Sequence, residues 1–161
     1  ITAGLLMIIG FVSALNYCRE LPNGRNLLLY MTLLVWLADT SAYCVGRMFG
    51  KRRFAPSISP NKTWEGFVGA LVFCLLYSVL AAYYGLQFSG LTALWFIFLS
   101  FLLFVISALG DLVESQVKRV YQIKDSGKIL PGHGGLLDRF DGFIAVAPFF
   151  TVAMIFILHF Q

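Results

Sequence analysis

Charge is what this sequence has least of. Asp, Glu, Lys and Arg make up 12% of its 161 residues, against 59% hydrophobic residues and a mean hydropathy of +0.81. A soluble domain is normally about a quarter charged, so an ordinary soluble domain is excluded. Cysteine is also scarce: Cys18, Cys44 and Cys74 show neither metal-ligand spacing nor a disulfide framework. Two of them lie in apolar runs, which suits small core side chains. The histidines, His133 and His159, have no Cys or second His nearby, which argues against zinc. No G-x-x-x-x-G-K-[ST] loop is present, which excludes a P-loop site. No basic tract interleaved with aromatics points to RNA or DNA, and no nucleic-acid partner is expected. Internal repeats and low-complexity segments are missing too. The first apolar run has no basic flank and no small-residue cleavage site, so it does not read as a signal peptide. It also begins without an initiator Met, and the expectation is a fragment of a longer chain whose upstream helices are missing.

What remains is a set of long apolar runs. Five hydrophobic spans can be drawn: Ile1 to about Tyr17, Leu27 to about Gly46, Trp64 to Gly85, Leu91 to Gly110, and Gly142 to Phe160. These runs are too long for the core helices of a small soluble domain. The fold class expected is all-α, a polytopic integral membrane helical bundle of about five transmembrane helices plus a cytoplasmic amphipathic helix and loop. It forms one membrane-embedded domain over residues 1–161. Pro148 lies inside the last span, where neighbouring helices can satisfy the freed carbonyl.

The little charge there is falls in two places. The connection after span two carries Arg47, Lys51, Arg52, Arg53 and Lys62, and the one after span four carries Lys118, Arg119, Lys124, Lys128 and Arg139. Together they hold ten of the twelve basic residues, while Leu86 to Gly90 between spans three and four holds none. By the positive-inside rule both basic connections face the cytoplasm. Arg19 and Arg25 in the Cys18–Asn26 turn run against this assignment.

The segment from Asp111 to Asp141 holds five of the eight acidic residues and five of the twelve Lys and Arg. If Asp111 to Lys124 is helical, Asp111, Glu114/Ser115 and Lys118 share one face and Val113, Val117, Val120 and Tyr121 another. The helix should stop near Ser126-Gly127, with Pro131 barring continuation. Pro131-Gly132-His133-Gly134-Gly135 reads as a turn whose glycines allow a ligand close to the backbone. Asp138 and Asp141, at i and i+3, should open the next helix with both carboxylates on one side, near the positive end of its dipole.

Asp39 stands apart, an acid within an apolar span. At about 1.5 Å per residue it lies roughly 18 Å from Leu27, still at bilayer depth. An ionisable group there costs about 2.5–3.5 kcal/mol on insertion scales, so it is a functional candidate by default. The alternative is a buried structural acid paired with Lys or Arg. Further on, Thr63 or Ser59 with Glu65 reads as a helix start.

Two blocks carry a family resemblance. Ser115-x-x-Lys118-Arg119, Lys124-Asp125-Ser126-Gly127 and Leu130-Pro131-Gly132-His133-Gly134-Gly135-Leu136-Leu137-Asp138-Arg139-Phe140-Asp141 resemble the signature of the phosphatidate cytidylyltransferases (CDP-diacylglycerol synthases). Ser59-Pro60-Asn61-Lys62-Thr63-Trp64-Glu65-Gly66 resembles that family's S-P-x-K-T-x-E-G block. The resemblance implies transfer of CMP from CTP to phosphatidic acid, giving CDP-diacylglycerol and pyrophosphate. It implies a hard divalent cation, Mg2+, with a second cation such as K+ a candidate. Asp111, Asp138 and Asp141 would hold the metal, since oxygen-only ligands suit a hard ion. Lys118, Arg119, Lys124 and Arg139 would grip phosphates, with anchoring to anionic lipid as the alternative use. Asp39, Ser59, Lys62, Thr63, Glu65, His133, Gly134 and Gly135 are the substrate-binding candidates. The resemblance further implies a bacterial inner membrane location, a cytoplasmic active site and a homodimer. A CTP-dependent polyprenol kinase or a CDP-archaeol synthase is the nearest competing reading, and a transporter with Asp39 in its pathway is a remote one. The D-G-x-x-A-R…G-x-x-x-D-x-x-x-D pattern of a CDP-alcohol phosphotransferase is absent.

Overall fold

The computed structural model describes residues 2–56, 58–122 and 137–159, with side chains described for 4–56, 58–122 and 140–159. Five helices and one β-hairpin make up this part: α1 (Thr2–Glu20), α2 (Gly24–Phe49), β1 (Arg53–Ala55), β2 (Ser59–Thr63), α3 (Trp64–Leu80), α4 (Gly90–Val120) and α5 (Leu137–His159). A π-helical turn, Ala81–Gly85, extends α3. The segments Gly24–Phe49, Trp64–Gly85, Gly90–Val120 and Phe140–His159 are each long and apolar enough to cross a membrane. The N-terminal run expected as the first of about five spans is helical as α1, and its Ala14 carbonyl accepts from Thr151 of α5 at 3.1 Å. Large apolar side chains on the helix exteriors are exposed, Leu6, Leu94 and Phe156 among them, as a lipid-facing surface requires. The architecture is an all-α polytopic membrane bundle carrying one small antiparallel hairpin.

Small residues set how closely the helices approach. A Cβ on Gly66 of α3 would lie 2.6 Å from the Ala42 carbonyl oxygen of α2, so these two backbones pack nearly in contact. A Cβ on Gly110 of α4 would lie 2.7 Å from Cβ of Ala145 in α5. Without a hydrophobic drive between helices in lipid, such close van der Waals contact is a main source of association. Leu27, Met31 and Leu34 of α2, Phe96 and Leu103 of α4 and Phe150 of α5 fill the fully buried interior.

Three sequence expectations change here. The fourth span and the amphipathic segment are one helix, not two: α4 runs 31 residues without interruption. At 1.5 Å per residue that is about 46 Å, well beyond a hydrocarbon core of about 30 Å, so its last turns project past the apolar layer. A lone glycine costs about 1 kcal/mol in a helix, too little to end one this long, and Gly110 is used for close packing. The helix also ends earlier than expected, at Val120. Gln122 turns left-handed with φ 55, and its N–H bonds to the Arg119 carbonyl at 3.1 Å, closing the last turn in the manner of a C-terminal cap. Separately, the connection between α2 and α3 is partly β-structure, with Arg53 facing Thr63 and Ala55 facing Ser59. Pro60 fits there because a two-stranded ribbon leaves N–H positions without ladder partners.

The hairpin and the C-terminal turns of α4, with Lys118 and Arg119, lie at the same end of the bundle. Lys62 of the hairpin pairs with Asp111 of α4, and Arg119 donates through Nε to the Ile58 carbonyl at 3.3 Å. The turns Leu21–Asn23 and Leu86–Ser89 occupy the other end.

Candidate active site

The site grows from helix periodicity. Asp39, Ala42 and Tyr43 follow the i, i+3, i+4 spacing on α2, and Phe104, Ser107, Ala108 and Asp111 follow it on α4. Both faces line one cavity of about 350 Å³, completed by Phe54, Asn61, Lys62 and Thr63 of the hairpin, Gly66 and Phe67 of α3, and Asp141 of α5. The close approach at Gly66 holds one wall and the close approach at Gly110 the other. A Cβ on Gly142 would likewise fall 2.8 Å from Oγ of Ser107, so α5 enters the site with no room to spare.

That packing gathers acids. Asp111 and Glu114, one turn apart on α4, meet Asp141 of α5, and each offers a carboxylate oxygen within 4.8 Å of the others. Three like charges this close repel unless a cation or a proton lies among them. Cationic side chains approach the group. Lys62 pairs with Asp111, and Lys118 lies 3.5 Å from Glu114 at the i+4 position. Ser115 donates to Asp111 Oδ1 at 3.5 Å, and the Gly142 N–H donates to Asp141 Oδ1 at 2.6 Å. All three ligand candidates offer oxygen alone, the donor set of a hard divalent cation.

The hairpin that delivers Lys62 is fixed independently of that ion pair. Phe54 stacks on Phe67 at 5.3 Å and meets Trp64 edge-on at 4.5 Å. Thr63 caps α3, accepting from the Gly66 N–H at 3.2 Å. Glu65 reaches back across the connection, where its carboxylate accepts from the backbone N–H groups of Lys51 at 3.1 Å and Arg52 at 3.2 Å.

A family model described as the cytidylyltransferase family matches residues 1–157. The chain belongs to the cytidylyltransferase family. Proteins named phosphatidate cytidylyltransferase are its relatives. The one from Haemophilus influenzae is 44% identical over 149 residues, covering 89% of this chain and 50% of that protein. Those from Staphylococcus aureus and Staphylococcus saprophyticus are 49% and 48% identical over 134 and 153 residues, covering 83% and 93% of this chain and 50% and 58% of theirs. The chain therefore spans about half the length of the curated relatives it matches.

Within this member of the family the expected site residues separate into groups. Asp39, Lys62, Thr63, Asp111 and Asp141 line the common cavity. Lys118 stands beside the carboxylates through Glu114, and Arg119 is directed to the hairpin. Ser59 and Glu65 are not among the described residues lining the cavity: Ser59 begins β2, where it faces Ala55, and the contacts of Glu65 secure the hairpin. Asp138 and Arg139 lie in the first turn of α5 as expected, with their side chains outside the described residues. Lys124, His133, Gly134 and Gly135 lie outside them altogether.

Glu114 is the acid that the sequence reasoning left unassigned. Its i+3 spacing from Asp111 was the available signal, and its meeting with Asp141 depends on how α4 and α5 pack. Lys62, the cation that lines the same cavity as Asp39, is engaged by Asp111.

Proposed function

We propose that this chain carries the catalytic cavity of a phosphatidate cytidylyltransferase, transferring CMP from CTP to phosphatidic acid. A phosphate oxygen of phosphatidic acid attacks the α-phosphorus of CTP. The bond from that phosphorus to the bridging oxygen of the β-phosphate breaks, and pyrophosphate leaves. The nucleophile is already an anion, so the reaction needs no triad to generate it, and catalysis rests on positioning and charge. The observation that carries this reading is that Asn61, Lys62 and Thr63 of one polar block and Asp141 of the other line one cavity with Asp111, at the polar end of a membrane bundle.

Each group then has work to do. Asp111, Glu114 and Asp141, with Asp138 beside them in the chain, would hold Mg2+, and a second cation such as K+ can share so acidic a place. When bound, a divalent ion offsets charge on phosphoryl oxygens. Lys62 and Lys118, with Arg119, Lys124 and Arg139 of the polar segment, would bind phosphates, arginine by its two-pronged fork. Asp39 and Thr63 bound the substrate space from α2 and the start of α3. The apolar wall of Phe54, Phe67 and Phe104 lets a diacyl substrate approach from the lipid. The excess of Lys and Arg in the two polar connections supports a site on the cytoplasmic side, and a bacterial inner membrane and a homodimer complete the proposal.

The test is release of pyrophosphate by the purified protein with CTP, Mg2+ and phosphatidate vesicles. Pyrophosphate should appear only with all three present. Release of CDP with a prenol acceptor would instead indicate a polyprenol kinase, pyrophosphate release with an archaeal ether lipid alone a CDP-archaeol synthase, and no turnover of CTP a transporter.

A further inference from the structure

Lys62 does two things that are hard to combine. It lines the substrate cavity, and its ammonium is already engaged by Asp111. Asp111 is in turn one of the three carboxylates that gather within 4.8 Å. A primary ammonium on a flexible stem is a mobile point charge, and both partners are only partly buried, at 28% and 38% side-chain exposure. The hairpin keeps its place without this ion pair, through Phe54 stacked on Phe67, the Thr63 cap and the Glu65 carboxylate on the Lys51 and Arg52 amides. Lys62 can therefore swing without unfastening the strand that carries it.

We infer that Lys62 is a tethered counter-ion: it neutralises Asp111 until a divalent cation arrives, and the cation displaces its ammonium toward the anionic substrate. This rests on the reading that Asp111, Glu114 and Asp141 take a divalent ion. Lys62 and the cation compete for one carboxylate, so each weakens the other's hold on it. By linkage that competition is reciprocal. Cation binding releases a positive charge into the cavity, and an anion that captures that charge removes the cation's competitor. The ion pair thus discourages an anion from binding before the cation and makes the two cooperate. Removing the lysine leaves Asp111 more available, so the cation alone should bind more tightly even though turnover falls. A charge one ion-pair distance away in a partly solvated site is worth about one order of magnitude in affinity.

The experiment measures Mn2+ binding without nucleotide or lipid, by electron paramagnetic resonance on the detergent-purified protein. Lys62→Met and Lys62→Gln should each tighten Mn2+ binding about tenfold over the unaltered protein, and Lys62→Arg, which keeps the charge, should stay near it. Asp111→Asn combined with Lys62→Met should erase the gain. Unchanged or weaker Mn2+ binding in both neutral variants, with Asp111→Asn still weakening it, overturns the inference and leaves the metal reading intact. Failure of both neutral variants to fold overturns it as well, because the ion pair would then be part of the hairpin's anchorage. If the unaltered protein and every variant bind no Mn2+, both the inference and the metal reading fall.

Discussion

Deep inside the bundle Tyr30, Ser78 and Ser100 share hydrogen bonds, whereas at its polar end Lys62, Asp111, Glu114 and Asp141 share charge. The first group ties three helices together. Tyr30 Oη of α2 lies 2.8 Å from Ser78 Oγ of α3 and 2.5 Å from Ser100 Oγ of α4. Each serine also lies 2.7 Å from a carbonyl oxygen of its own helix, Cys74 or Phe96, so the three hydroxyl hydrogens are shared among four contacts. Every member is nearly inaccessible, and the group is neutral and internally satisfied, so it has no need of a ligand. The second group opens on a cavity and gathers three carboxylates within 4.8 Å of one another, an arrangement suited to cations from outside. Buried polar groups that are complete hold a fold together, while incomplete ones wait for a partner.

The largest effect should come from removing charge in the second group. Asp111→Asn keeps the shape of the side chain and should abolish turnover, a loss of about 10³-fold or more by comparison with other electrostatic deletions. Asp138→Asn should do the same, with the double variant no worse than either single one, as groups acting as a unit behave. Near-normal, Mg2+-dependent activity in Asp111→Asn would place the cation elsewhere and end the contrast drawn here. Next in size, Lys62→Ala should lower activity tenfold or more while the midpoint of thermal unfolding in detergent stays within about 2 °C, since an ion pair still reached by solvent contributes about 0–1 kcal/mol. A collapse of stability would move Lys62 from the charged group into the structural one.

Sequence reasoning reached these two groups unequally, for physical reasons. Asp111, Asp141, Lys62 and Asp39 were legible because charge is rare here, and a charge within or beside an apolar run is costly enough to need a purpose. The long spans were legible from length alone, and Thr63 as a cap from its place before an apolar run. The continuity of α4 was not, because Gly110 looks like a boundary when its packing partner Ala145 is unknown. The hairpin was hidden by Pro60 and by strands of only three and five residues, too short to show an alternating pattern. The Tyr30–Ser78–Ser100 group was out of reach. Each residue is unremarkable on its own helix, and the three meet only because of how α2, α3 and α4 are rotated.

A smaller effect joins fold to site. Gly110→Ala adds one methyl that gains helix propensity of about 1 kcal/mol but falls 2.7 Å from Cβ of Ala145. Overpacking of this kind costs about 1–3 kcal/mol, so the clash wins. The helices should separate by a few tenths of an ångström, loosening the meeting of Asp111 with Asp141 and lowering activity severalfold. Ala145→Gly in the same chain moves the methyl from one helix to the other and should restore activity. Failure of that rescue would mean that the α4–α5 distance does not control the carboxylates.

The smallest effect on turnover, and the clearest separation of the two groups, should come from Tyr30→Phe. The change removes one buried oxygen and leaves the ring stacked on Tyr77, with centroids 5.2 Å apart. Deleting a hydrogen-bond partner is costly when it strands a buried donor. Here Ser78 and Ser100 retain the Cys74 and Phe96 carbonyls, so neither donor is stranded. The loss should be about 1 kcal/mol of stability, the net worth of an ordinary hydrogen bond, seen as a small fall in the unfolding midpoint. Because the hydroxyl group lines no part of the catalytic cavity, kcat and KM should stay within twofold of the unaltered protein at temperatures where both are folded. A tenfold fall in kcat with the midpoint unmoved would show that the neutral group acts on the charged one, and that the two cannot be treated as separate devices.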